Sequence, residues 1–377
     1  MQWHLVTCEY PPAVGGVADY SREVAEGLAA AGDEVHVWCP AVALGSVPPG
    51  RPGVHLHPVL GAFRPGDLCH LDAALDAAAE PHRVLVQWVP HGYGYRSMNV
   101  RFCAWVWRRA RRGSPIDLMV HEPYLAFHEG SWRQDAAAVV HRLMTMMLIR
   151  AATRIWVSIP TWAERWRPFA LGKAIAFTWL PIPCTLPAPS RDDAFAVRGR
   201  YAGDAPLVGH VGTYGAPIRA ALAAALPPLL DAVPAARVLL LGEGAPRFAG
   251  SLAVTHRAAA ARIHAPGRLS REALAAHVAA CDLLLQPYPD GVSSRRTSAM
   301  AGLALGVPVV TNAGPMTEAI WAEREAVALI PGDHAWAATA ARLLVDPRTR
   351  SGLAERGRAL YEDHFALART IAALRAA

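Results

Sequence analysis

The sequence predicts an α/β protein built as two tandem, Rossmann-like, doubly wound domains facing across a cleft. Three observations carry that prediction. Short β-rich apolar runs alternate with Ala/Leu-rich helical segments from end to end, which implies parallel strands joined by right-handed helical crossovers. The chain of 377 residues is too long for one ordinary domain and suits two. The stretch "LPIPCTLPAPSRDDAFAVRGRYAGDAP", residues 180–206, starts rich in Pro and charge, and the alternation restarts beyond it. The expected domains are therefore 1–185 and 186–358, with 359–377 a terminal helix crossing back to the first.

Each element follows from its own pattern. Residues 4–7 read as a strand, followed by a loop with Gly15 and Gly16 and a helix from about residue 20 to 31, with Gly32 where a C-cap belongs. Strands are expected at 34–38, 84–87, 117–120 and 154–158. After the linker they are expected at 207–211, 237–241, 262–264, 282–285, 308–311 and 326–330. In such sheets ligands lie at the carboxyl ends of the strands.

Composition removes several classes of function. The apolar windows are broken by Pro, Arg or His well short of a membrane span. The start of the chain reads as a first strand and not as a signal peptide. Six cysteines without C-x-x-C spacing point to reduced thiols, a cytoplasmic protein and no structural zinc. The net charge is +6, but no basic stripe with interleaved aromatics marks a nucleic-acid site. The nearest approach is 101–112, "RFCAWVWRRARR". It reads first as a surface helix with a solvated basic end, and second as a weak contact with an anionic membrane surface.

Glycine turns carry the chemistry. Gly15-Gly16, Gly212, Gly242-Glu243-Gly244 and Gly267 each follow a strand, where glycine permits close backbone approach and a helix start offers amides to an anion. None forms G-x-G-x-x-G with a downstream acid or a Walker-type G-K-[ST], so NAD and P-loop readings lose their support. A fifth turn, "YPDGVSSRRTSAMAGLALGVPVV", places Ser293 and Ser294 as N-caps of a helix over 297–305, with Arg295 and Arg296 near its first turn. Cations there oppose the helix dipole unless an anion is bound, and Arg pairs bidentately with phosphate. The expected ligand is a diphosphate.

On the acceptor side, "VQWVPHGYGYRSMN" places Trp88, His91, Tyr93, Tyr95 and Asn99 near the cleft, and Asp19 and Tyr20 flank the Gly-Gly loop. Aromatic faces with hydrogen-bonding tips suit a sugar or polyol. The alternatives are a packed aromatic loop and, for Asp19, a plain N-cap.

The chain resembles the retaining GT-B glycosyltransferases of family 4 (group 1 type). The resemblance rests on "EYPPAVGGVADYSREVAEGLAAAGDEVHVWCP", then "VLLLGEGAP", "HAPGRLSREALAAHVAACDLLLQPYPDG" and "LGVPVVTNAGPMTEAI" in order, and the closing "LIPGDHAWAATAARLLVDPRTRSGLAERGRALYEDHF". It implies retaining transfer from a nucleotide-diphosphate sugar to a small hydroxylated acceptor, with no cofactor and no metal. It implies that Gly15 and Gly16 approach the donor, that Gly242, Glu243 and Gly244 line the nucleotide, and that Gly267, Arg268 and Leu269 frame the base. His121, in "LMVHEP", matches the histidine beside the reacting sugar.

Two departures stand out. The family's Glu-x7-Glu positions hold Ser293 and Ala301. Its basic pair is also missing, with Thr213 after Gly212 and Ile218-Arg219 further on. Arg295 and Arg296 are expected to supply the displaced charge, and Ser293, Ser294 and Thr297 hydroxyl contacts. The rival readings are a pseudo-glycosyltransferase coupling a cyclitol nucleotide and a catalytically silent binder.

Overall fold

The computed structural model describes residues 1–41, 51–94, 97–127, 130–332 and 335–376. The chain forms two compact units, one of Met1–Pro181 with Leu367–Ala377 and one of Ile182–Ala366. Among the described residues no helix is long and apolar enough to cross a membrane.

The first unit holds seven strands: β1 (Gln2–Val6), β2 (Glu34–Trp38), β3 (Val54–His57), β4 (His82–Trp88), β5 (Ile116–Val120), β6 (Arg154–Val157) and β7 (Phe177–Trp179). They form one parallel sheet in the order β3-β2-β1-β4-β5-β6-β7. The central strands are apolar because helices bury both faces of such a sheet. β3 and β7 escape the sequence reading because they are short edge strands. Only half-buried or exposed, neither requires a continuous apolar run. The first helix, Gly16–Ala30, begins directly at the Gly-Gly pair, earlier than expected, and buries Tyr20, Val24 and Leu28.

One face of this sheet carries a ladder of imidazoles. His4, His36, His55 and His57 stack across β1, β2 and β3, with centroids 4.9–5.2 Å from His36, and Trp38 lies 4.1 Å over His57. Register sets this up by pairing His4 with His36, His36 with His55 and Trp38 with His57. Burial, followed by the charges of His36, His82 and other neighbours, pulls His4 down to about 3. Burial and the neighbouring imidazoles pull His57 to about 4.

The helix Leu367–Ala376 covers the opposite end of the Gly16–Ala30 helix. A Cβ at Gly27 would lie 2.8 Å from Ile371 Cδ1, so glycine makes room for that contact. Arg375 Nε reaches Asp33 at 3.0 Å, and the same carboxylate accepts from Trp3 Nε1 at 3.3 Å.

The second unit holds β8 (Leu207–Val211), β9 (Arg237–Leu241), β10 (Ile263–Gly267), β11 (Leu283–Gln286), β12 (Val309–Asn312) and β13 (Ala328–Ile330), all parallel, in the order β10-β9-β8-β11-β12-β13. The expected linker is in part a helix. Arg191–Tyr201 is capped by Ser190, whose Oγ accepts from Asp193 N at 3.0 Å, and Arg198 ties it to Asp282 at 3.0 Å. All six cysteines are free.

Candidate functional site

Strand order reverses between β1 and β4 in the first unit and between β8 and β11 in the second. A reversal opens a crevice at the strands' carboxyl ends, because the flanking crossovers leave in opposite directions. The loops there hold most of the residues singled out from the sequence.

In the second unit the loops after β8 and β9 pack backbone on backbone. Gly242 has φ +129°, and a Cβ there would overlap the carbonyl oxygen of Gly212. A Cβ on Gly244 would come 3.2 Å from Thr213 O. Gly212, Thr213, Gly242 and Gly244 are thereby brought together, with Glu243 exposed between the two half-buried glycines. Gly267 ends β10, the edge strand, with Arg268 exposed and Leu269 half-buried beyond it.

The loop after β11 differs from expectation in two ways. First, the helix Thr297–Ala304 has no side-chain cap, and neither serine caps it. Ser294 instead donates its amide to Glu318 Oε1 at 3.0 Å and its hydroxyl to the same oxygen, while Trp321 Nε1 holds Oε2 at 2.8 Å. Burial raises the Glu318 carboxyl above its ordinary range, and these donors oppose the rise. Second, the conflict between the arginines and the helix dipole is answered inside the chain. Asp290 Oδ2 accepts from Arg295 Nη2 at 3.1 Å and from Arg296 Nη2 at 3.3 Å. A bound anion is therefore not required to offset them. Arg296 also lies 4.9 Å over the Tyr288 ring, which holds its guanidinium in place. Both arginine side chains are about one-fifth exposed, at 20% and 23%. Ser293 is fully buried and its hydroxyl has no partner. Thr297 is half-buried, and Ala301 buried.

In the first unit the start of the Gly16–Ala30 helix is already engaged. Glu9 Oε1 accepts from the amides of Val17 at 3.1 Å and Ala18 at 3.0 Å. A Cβ on Gly15 would overlap that carboxylate, which is why glycine stands there. Gly16 is open on its Cβ side. The expectation of free amides at this turn is thus corrected, since a side chain of the same loop occupies two of them. Asp19 is not the N-cap, a position held by Gly15. It sits in the first turn and pairs with Arg22 at 3.1 Å.

His121 lies at the end of β5, 8% exposed, with Nε2 2.8 Å from Gln87 Oε1. Its ring meets Tyr20 edge-on at 4.9 Å. Its carbonyl accepts from Trp162 Nε1 at 2.9 Å and Ser158 Oγ at 3.3 Å, so backbone and ring are both fixed. Burial pulls its pKa down to about 3, and the ring is neutral at neutral pH. It can exchange hydrogen bonds but carries no charge.

The acceptor residues need more correction. Tyr20 is 1% exposed and packs edge-on against His121, so its ring is engaged inside the protein. Tyr93 is fully buried between Trp88 and Phe102, at 5.6 and 4.3 Å, with its hydroxyl on the carbonyls of Val6 and Gln87. Trp88 is core as well, and Asn99 Nδ2 is held by Pro90 O at 2.9 Å. The packed-loop alternative describes these three. His91 remains exposed, its Nδ1 3.4 Å from Glu122. Tyr95 lies outside the described residues. Sequence reasoning missed Glu9, Gln87, Asp290 and Glu318. The one available signal was an acid in the turn that follows a strand, as in "CEY" and "YPDG".

Residues 205–346 match the family model of the Glycosyl transferases group 1. The group 1 match thus spans β8 to β13 and every loop of the second-unit site. Among curated proteins no match is found. Solved structures resemble the whole chain. Sucrose-phosphate synthase from Thermosynechococcus elongatus is 18% identical with a TM-score of 0.74, covering 100% of this chain and 98% of that one. WaaG, a glycosyltransferase involved in lipopolysaccharide biosynthesis, is 16% identical with a TM-score of 0.65 and covers 99% of each. Anabaena HepE, in complex with UDP and glucose, is 15% identical with a TM-score of 0.62, covering 100% and 98%. At such identities the likeness establishes the fold, two parallel α/β units of the GT-B kind.

Proposed function

We propose that this chain transfers a glycosyl group from a nucleotide-diphosphate sugar to a hydroxylated acceptor, with retention at the anomeric carbon. The observation that carries this reading is the loop after β11. It presents two guanidinium groups and a buried, unpaired serine hydroxyl at the strand reversal, inside the segment that matches group 1 glycosyl transferases. Positive charge fixed before the reaction stabilises a leaving diphosphate without reorganisation, and this is usually the largest catalytic contribution. The UDP and glucose in the HepE structure support a nucleotide and a sugar as ligands of such a fold.

In this reading His121, neutral and braced by Tyr20 and Gln87, orients sugar and acceptor hydroxyls by hydrogen bonding and removes no proton itself. The guanidinium pair takes the place that a divalent ion holds in metal-dependent transferases, so turnover should survive excess chelator. A requirement for Mg²⁺ or Mn²⁺, restored by adding the ion back, would refute that part.

Incubation with a panel of nucleotide sugars and simple acceptors, followed by NMR of the product linkage, tests the whole. One donor should give a product with its anomeric configuration kept. Binding of a nucleotide sugar without any turnover would favour a silent binder. Coupling of a cyclitol nucleotide in place of a sugar would favour the pseudo-glycosyltransferase.

A further inference from the structure

The helix Trp132–Ala151 has two apolar faces. One packs inward through Ala138, Met144 and Leu148. The other looks outward: Trp132, Ala136, Val139 and Leu143 are all exposed, Trp132 by 74% and Val139 by 59%. Their steps of four, three and four residues keep them within about 40° of one line along the helix, at 100° per residue. Arg150, also exposed, continues the same line to the last turn.

The neighbouring helix, Val100–Arg111, packs alongside and turns Trp107 outward at 40% exposure. Arg101, Arg108 and Arg111 on that helix, with Arg133 and Arg150 on the longer one, are exposed, and no exposed residue of either helix is acidic. Asp135 is half-buried. An apolar stripe this long is seldom left wet. What covers it must accept a tryptophan at the stripe's end and suit the arginines that the two helices expose. A second copy of the chain would set those arginines against one another. An anionic lipid surface meets both demands, because aromatic rings and apolar side chains enter the headgroup boundary while arginines reach the phosphates.

We propose that this face of the first unit rests on an anionic lipid bilayer, with the Trp132–Ala151 helix lying in the plane of the interface. The inference stands apart from the proposed reaction, since none of its residues belongs to the candidate site.

Flotation of the full chain with vesicles tests it. Vesicles mixing phosphatidylcholine with phosphatidylglycerol should retain the protein at least about tenfold better than phosphatidylcholine alone, and added salt should weaken the retention. The double variant Val139→Glu with Leu143→Glu should lose about tenfold on mixed vesicles, with an unchanged melting curve. If it melts lower, Val139→Ser with Leu143→Ser serves instead. Arg108→Ser with Arg111→Ser should weaken binding to mixed vesicles and leave binding to neutral ones unchanged. Equal retention on both vesicles, no retention, or wild-type retention by the Glu variant would overturn the proposal. So would a lipid-free dimer, seen by sedimentation, that the Glu variant dissolves, because the face would then belong to a second copy.

Discussion

After β1, a helix begins with two amides held by Glu9; after β11, a helix begins with two guanidinium groups drawn to Asp290. In the first case an internal anion meets backbone donors, and the adjoining aromatics Tyr20 and Tyr93 are folded into the core. In the second an internal anion meets side-chain cations, and its own side chain is 47% exposed. An incoming phosphate would have to dislodge a carboxylate packed against Gly15 in one unit, but only loosen an ion pair whose acid is 47% exposed in the other. Surface pairs of the latter kind are weak. On the proposed function, anion binding would therefore fall to the second unit, and the first would offer neutral hydrogen bonding through His121.

The largest effect expected from this contrast is on the fold itself. His4, His57 and His121 in the first unit have pKa values held down to about 3, 4 and 3, against His210 at about 4 in the second. A depressed histidine favours the folded state above the unfolded value near 6.5. That stability is lost as pH falls from there toward the folded values, because only the unfolded chain takes up the protons. The first unit should unfold before the second between about pH 6.5 and 4. Ten of the 12 tryptophans lie in the first unit, so their emission should change at a higher pH than the far-ultraviolet circular dichroism. Coincident acid transitions by the two probes would break the comparison.

Next in size, His121→Ala should lower turnover by about a hundredfold, roughly 2.7 kcal/mol of barrier, while nucleotide affinity changes little. Rate and melting curve taken on one preparation decide it. A loss of stability with unchanged activity per folded molecule would make His121 a packing residue only. Arg295→Ala or Arg296→Ala should weaken nucleoside-diphosphate binding by about 1.5–3 kcal/mol, the scale of a hydrogen bond to a charged group. Calorimetry showing the same affinity in both variants and in their combination would remove the phosphate from this loop.

Gly15→Ala should cost about 1–3 kcal/mol of stability by overpacking against the Glu9 carboxylate. Glu9→Ala should relieve most of that cost in the same chain, a coupling that a double-mutant cycle by chemical denaturation would read. The smallest effect is the most pointed. Asp290→Asn should tighten nucleoside-diphosphate binding by roughly 0.5–1 kcal/mol, the worth of an exposed ion pair that no longer competes. Weaker binding would mean that Asp290 orients the arginines instead of shielding them.

The alternation of strands and helices was legible because each central strand is buried on both faces and must be apolar. β3 and β7 were hidden by the same logic, since an edge strand such as "VHLH" is free to be polar. Arg295 and Arg296 could be read as a pair because their chemistry is in the side chain. Glu9 and Glu318 could not, because each binds backbone amides brought close only by folding. Tyr93 misled for the converse reason. A tyrosine in a turn looks like a ligand contact until the stack of Trp88 and Phe102 closes over it.

The helix Leu367–Ala376 gives the molecule an order of assembly. The second unit, Ile182–Ala366, is a continuous stretch and is complete as soon as its own residues have left the ribosome. The first unit is synthesised earlier but finished later. Until Ile371 reaches Gly27 and Arg375 reaches Asp33, the helix Gly16–Ala30 has a bare side, and a buried carboxylate lacks one of its cations. A translation stop shortly before residue 367 would therefore spare the neighbouring unit and damage the one built first, more than three hundred residues upstream.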